Sequence, residues 1–118
     1  MSAEHPYSAA YDDGGVVYVS GALSVDPDGE VVGGRRTALD AAVAKLRARL
    51  GTVGLDLPDV VKTTYFVTDV TLRDEANEQY VEIFDEPRPA RSFVEVSRLP
   101  YGATVEIEAV ARRRPRVG

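Results

Sequence analysis

The chain contains no cysteine and a single histidine, His5. Without cysteine there is neither a disulfide nor a thiolate nucleophile. One imidazole and no thiol make a poor ligand set for a transition metal, so no metal or cofactor is expected. Ser8 and Ser20 lack a histidine partner, which argues against a serine-hydrolase triad. Gly14-Gly15 and Gly33-Gly34 do not have the spacing of a dinucleotide fingerprint or a P-loop. No run approaches the ~20 apolar residues that a membrane helix needs. The first residues, Met1-Ser2-Ala3-Glu4-His5-Pro6, lack a basic segment followed by an apolar core. A cytoplasmic protein without membrane contact is the expectation. Positive charge is also scarce, with 14 Lys and Arg against 19 Asp and Glu for a net charge of −5. That balance argues against nucleic acid as the main partner. The exception is Arg112-Arg113-Arg114-Pro115-Arg116. Residues from about 112 to 118 read as a solvated basic tail, with an anion or nucleic-acid contact as the alternative.

What is present is an ordinary globular composition, 44% hydrophobic and 28% charged over 118 residues. One domain, 1–118, is expected. A chain this short can bury a modest core but cannot also enclose a deep cavity, so a site should be shallow or built between subunits. Val16-Val17-Tyr18-Val19-Ser20 is β-branched and aromatic and reads as a strand. Asp26-Pro27-Asp28-Gly29 forms a turn, after which Val31-Val32 can pair back as a short strand. Leu39, Val43, Leu46 and Leu50 make one stripe of a helix from about Arg35 to Val53, with Arg47 and Arg49 off the stripe. Asp59 to Asp69 is a strong strand, apolar in part on both faces and so interior to the sheet. Asp69 or Thr71 caps a second helix running to about Phe84, with Leu72, Ala76, Tyr80 and Ile83 as its stripe. Arg91–Val96 and Thr104–Ala111 complete a β-β-α-β-α-β-β order, an α+β fold with both helices on one face of a mixed sheet. The other face also needs cover, which further copies of the chain can supply.

Strand alternation puts Arg91, Phe93 and Glu95 on one face of their strand. In the last strand Val105, Ile107 and Ala109 form an apolar face, and Glu106 and Glu108 point the other way. A sheet face carrying Arg and Glu together is either a solvated surface with weak ion pairs or a polar site. Arg91 follows Pro87-Arg88-Pro89, and the prolines restrict the chain that feeds it. A fixed guanidinium suits bidentate capture of a carboxylate, and a nearby Glu can orient or deprotonate a water. Arg, Glu and water would suit hydrolysis of a small, already electrophilic carboxylate compound. Of the lysines, only Lys62 lies where a Schiff base could form, and a pairing role is the simpler reading. Tyr80 reads as core and Asn77 as exposed.

These motifs carry a resemblance. Pro6-Tyr7-Ser8, Val19-Ser20-Gly21, Asp59-Val60-Val61-Lys62-Thr63-Thr64, Phe66-Val67-Thr68-Asp69, Asn77-Glu78-Gln79-Tyr80, Pro89-Ala90-Arg91-Ser92 and Val105-Glu106-Ile107-Glu108-Ala109 occur in the order and spacing of the Rid family (RidA, YjgF or L-PSP type). From Pro6 to Ala111 the sequence resembles that family. The resemblance implies a chorismate-mutase-like fold assembled as a homotrimer around a central barrel, with sites in clefts between subunits. It implies hydrolysis of reactive 2-imino or 2-enamino acids to 2-keto acids and ammonia. Arg91 matches the arginine that grips the substrate carboxylate, and Glu106 the glutamate associated with the water. Tyr7, Ser20 and Asn77 match residues lining the cleft. Phe93 stands where deaminase members carry Cys, a position implied to contribute its backbone N–H. Its larger side chain would reshape the pocket. His5, Ala9 and Ala22 also depart from the family's Gly, Gln and Gln. Other readings stand beside it: a non-catalytic carboxylate-binding or holdase module, a specialised enzyme for a larger amino- or imino-acid suggested by Phe93, and a ribonuclease or translation inhibitor, which the resemblance implies for some members.

Overall fold

The β-branched runs, the leucine stripe and the capped second helix all form, and together they position the candidate site. A computed structural model describes residues 5–114. The elements are β1 (Ala10–Asp12), β2 (Val16–Leu23), α1 (Arg36–Gly51), β3 (Val60–Val67), α2 (Arg73–Ile83), β4 (Ala90–Glu95) and β5 (Val105–Arg112). The five strands make one mixed sheet in the order β1-β2-β5-β3-β4. Only β3 and β4 run parallel, as a β-α-β crossover through α2 requires.

Periodicity explains the layering. Val17, Val19, Thr63, Tyr65, Val67, Val105, Ile107 and Ala109 alternate along their strands and are buried. Leu39, Leu46 and Leu50 of α1 and Ala76 and Tyr80 of α2 are buried with them. Full burial of one such leucine is worth about 2–3 kcal/mol. The two helices therefore share a face, as the patterning predicts. Asp69 accepts from the Thr71 N–H at 2.9 Å, but it caps a single 3₁₀ turn, Val70–Leu72, that leads into α2. Asp74 and Glu75 then place negative charge in the first turn of α2, where the helix dipole favours it.

The opposite face of the sheet has no element packed on it among the described residues. It presents Tyr18, Thr64, Phe66, Val94, Glu106 and Glu108, of which Tyr18 is 50% and Val94 38% exposed.

Two expectations require correction, and Arg49 adds a point that the stripe does not carry. Val31-Val32 does not form a strand, because Val31 makes only one bridge, to Val25. The remaining strand is instead β1, which hydrogen-bonds along the edge of β2. Arg49, off the apolar stripe as read, is nevertheless buried, with the Tyr7 ring 5.9 Å from its guanidinium. The basic stretch is not a free tail up to Arg114. Arg112 ends β5, Arg113 bonds Asp12 Oδ2 and the Val53 carbonyl, and Arg114 reaches the Pro58 carbonyl. The remainder of the expected tail, 115–118, lies outside the described residues.

Candidate functional site

Arg91 is the second residue of β4, beside Thr63 of β3. That register turns its side chain toward the helix-covered face, under α2. Three aromatic rings surround the guanidinium carbon, with centroids 4.9 Å (Tyr80), 5.1 Å (Phe93) and 5.3 Å (Tyr65) away. Such contacts hold a cation by its attraction to the ring faces. Nη2 donates to Asn77 Oδ1 on α2. Nη1 is buried and has no acceptor among the described residues. Burial holds the Arg91 pKa below its ordinary value, with the neighbouring tyrosines opposing this. It remains a cation at neutral pH, and its free N–H points to an anionic acceptor.

The cup around Arg91 is itself anchored. The Tyr65 hydroxyl donates to Gln79 Oε1 at 3.0 Å, and Gln79 Nε2 donates to Asp40 at 2.9 Å. Tyr80 shares a 2.7 Å hydrogen bond with Thr63 Oγ1. Phe93 stacks on Tyr65 with centroids 5.7 Å apart. Tyr80 is core, as read, and also touches Arg91, while Tyr65 and Gln79 are supports of the cup that the sequence did not single out. The signal was there, since Thr63 and Tyr65 have the same alternation as Arg91 and Phe93. Asn77, read as exposed, is partly buried against Arg91. Lys62 is taken up by the Thr63 carbonyl and Ser92 Oγ at 2.9 and 3.0 Å, so it is held as a pairing residue.

Glu106 belongs to a different place. In β5 it lies opposite Phe66 of β3, three residues on from the Thr63 that faces Arg91. An odd offset along a strand means opposite faces. Arg91 and Glu106 therefore do not share a sheet face, which corrects the expectation drawn from alternation alone: each strand's own pattern was right, but not their relative phase. Against Glu106 lies Gly21, with Ser20 beside it in sequence on the β2 bulge, and Tyr7 lies over Arg49. β2 bulges between Val19 and Ala22, and Ser20 Oγ donates to the Ser8 carbonyl at 2.6 Å. Any side-chain carbon at Gly21 would collide with the Glu106 carboxylate, so only glycine leaves that group its space. Burial, aided by the Glu108 charge, pushes the Glu106 carboxyl above its usual range, and Arg49 opposes the shift. Tyr7 is 49% exposed, stacks on His5 at 4.9 Å and lies 5.9 Å from the Arg49 guanidinium.

The structure thus brings Arg91, Asn77 and Phe93 together, and places Glu106 elsewhere, against Gly21. One half presents a guanidinium with a free N–H, and the other a partly buried carboxylate. Among the described residues no group of His, Asp or Glu is arranged to hold a metal. No helix among them is long and apolar enough to cross a membrane.

Comparison with known proteins agrees with this geometry. The family described as Endoribonuclease L-PSP matches residues 1–113. A 2-iminobutanoate/2-iminopropanoate deaminase of Salmonella typhimurium is 39% identical over 113 residues, covering 92% of this chain and 88% of that protein. The crystal structure of RidA from the Antarctic bacterium Psychrobacter is similar with a TM-score of 0.87 at 35% identity, over 95% of this chain and 92% of that one. That of E. coli TdcF with bound serine is similar with a TM-score of 0.82 at 32% identity, over 95% and 91%. The fold and the match along nearly the whole chain place this protein in the Endoribonuclease L-PSP, or Rid, family.

Proposed function

We propose that the chain, acting as one domain over 1–118, hydrolyses reactive 2-imino and 2-enamino acids to 2-keto acids and ammonia. The observation that carries this reading is the buried, unpartnered Nη1 of Arg91 inside its aromatic cup. A substrate carboxylate satisfies it and replaces a costly orphan donor with a charge-assisted pair. The deaminase name of a 39% identical relative and the serine held by a similar structure support the same substrate class.

Arg91 and Glu106 lie on opposite faces of one sheet. A site that uses both must therefore combine the Arg91 half of one copy with the Glu106 half of another. A homotrimer whose uncovered sheet faces pack inward provides that arrangement and covers the exposed Tyr18 and Val94. In the reaction, water adds to the carbon of the C=N bond. Glu106 takes a proton from that water and returns it to nitrogen. That gives a carbinolamine; Glu106 then carries the hydroxyl proton to the amino nitrogen, and the C–N bond breaks as C=O forms, releasing ammonia. A carboxyl with a raised pKa suits both transfers, since it gives and accepts a proton closer to neutrality. Arg91 fixes the substrate so that water attacks from one side.

Phe93 favours one second reading. Its ring forms a wall of the Arg91 cup, 5.1 Å from the guanidinium, and would confine the pocket to binding without turnover. One experiment separates the two. A dehydratase generates 2-aminoacrylate, and keto-acid release is timed with and without the protein. Acceleration lost on Arg91→Ala is expected. Tight 2-keto acid binding with no acceleration over the spontaneous rate would establish the binding module instead. An Arg91→Ala variant as active as the parent would overturn the assigned role.

A further inference from the structure

Among the described residues, Arg49 is the one buried cation to which the proposed reaction gives no role. It is 9% exposed on α1, and its Nε is buried without an acceptor among the described residues. A buried guanidinium N–H without an acceptor is costly, and a side chain this long could reach solvent if the cost had no return. Lys45 lies one turn earlier on the same helix and lines the same cavity. Like charges four residues apart weaken a helix by a few tenths of a kcal/mol, so α1 holds two repelling cations on one wall.

That cavity encloses about 220 Å³ and is lined by Tyr7, Leu23, Val25, Lys45, Arg49 and Tyr101, among others, none of them acidic. Two features mark it as built. The Tyr7 ring covers Arg49 at 5.9 Å. Tyr101, on its rim, is the only non-glycine residue among those described with a left-handed backbone, at φ 62°. That conformation is unfavourable for a side chain of this size and persists only where the surroundings enforce it. The cavity also adjoins the second half-site. Leu23 is the register partner of Glu106, and Arg49 is close enough to act on the Glu106 charge.

We propose that Arg49 and Lys45 form a second carboxylate subsite beneath Tyr7, which fits the protein to imino acids carrying a carboxylate at each end. The apolar Leu23 and Val25 would face the methylenes between the two groups. This rests on the reading of Arg91 as the first carboxylate site, and the test keeps the two apart.

The probes are 2-oxoglutarate and 2-oxobutanoate, which differ by the distal carboxylate. They are titrated into the full ¹⁵N-labelled protein and followed at backbone amides. The dicarboxylate should bind at least about 10-fold tighter, as one charge-assisted pair allows, and shift Tyr7, Lys45 and Arg49 as well as Asn77 and Arg91. Arg49→Met should reduce it to the affinity of 2-oxobutanoate, and Arg49→Lys should retain part of the preference. Lys45→Met makes the same comparison at a more exposed position. Equal affinities, with shifts confined to Asn77 and Arg91, would overturn the subsite and leave the Arg91 reading intact. Cavity shifts without any at Arg91 would uphold the subsite and overturn the Arg91 reading. Cavity shifts that survive Arg91→Ala at unchanged affinity would overturn the two-ended substrate, leaving a site for a free carboxylate. Silence at both would overturn both.

Discussion

If Arg91 and Glu106 work together from two copies, two inactive variants should rescue one another. Arg91→Ala removes the carboxylate grip and should cost about 10- to 100-fold in kcat/KM, the range for losing a charged hydrogen bond. Glu106→Gln removes the proton carrier and should cost roughly 100-fold or more. Neither protein has an intact site. Co-expression under two different tags, followed by purification on both, isolates assemblies that contain each variant. In a trimer with head-to-tail sites, both mixed compositions have a single interface where the Arg91 of the Glu106→Gln chain meets the Glu106 of the Arg91→Ala chain. About one third of wild-type activity should return, against about one half for a two-fold dimer. The sharing between copies follows from the register, which sets the two residues on opposite faces, and the fraction follows from the number of copies. The assay is keto-acid release from freshly generated 2-aminoacrylate. Mixed assemblies no more active than their parents would refute the composite site, because a site within one chain cannot be restored by mixing.

Three further outcomes follow. Gly21→Ala should lower kcat at least about 10-fold with little change in thermal stability, since its Cβ displaces the Glu106 carboxylate at a partly exposed bulge; steady-state kinetics beside a melting curve check this. The acid limb of kcat/KM should lie above the ordinary carboxylate range, because burial raises Glu106 and the base form disappears as pH falls through that raised value. The limb should vanish in Glu106→Gln, and a limb that persists unchanged would point to another base. Leu46→Ala should destabilise by about 2–5 kcal/mol in urea titration, as its side chain is 1% exposed between α1 and the sheet; a loss under about 1 kcal/mol would mean that the surroundings collapse into the gap.

Much of this was legible from periodicity. The stripe Leu39-Val43-Leu46-Leu50 and the β-branched run Val60–Val67 each decide their element locally, and both formed. β1 was not legible. Three residues, Ala10-Tyr11-Asp12, carry no pattern, and pairing with β2 alone makes them a strand. Arg49 lies off the apolar stripe, so the helix gives no reason to bury it; the burial comes from Tyr7, 42 residues away in sequence. The separation of Arg91 from Glu106 was illegible for a related reason. Alternation fixes which residues of one strand share a face. It does not fix how β4 and β5 are phased across the β3 that lies between them.

The two half-sites differ in how far the chain must travel to make them. Thr63, Tyr65, Asn77, Tyr80, Arg91 and Phe93 all lie within one β-α-β crossover, so that half closes through contacts of short sequence separation. The Glu106 half joins the segment around Ser8 and Ser20 to a strand more than eighty residues later. Ring closure over that span carries the larger entropy cost and comes later when contacts form in order of separation. During refolding the anion grip should therefore be in place before the proton carrier. A carboxylate ligand present from the start would then meet a protein that can hold it but not yet turn it over.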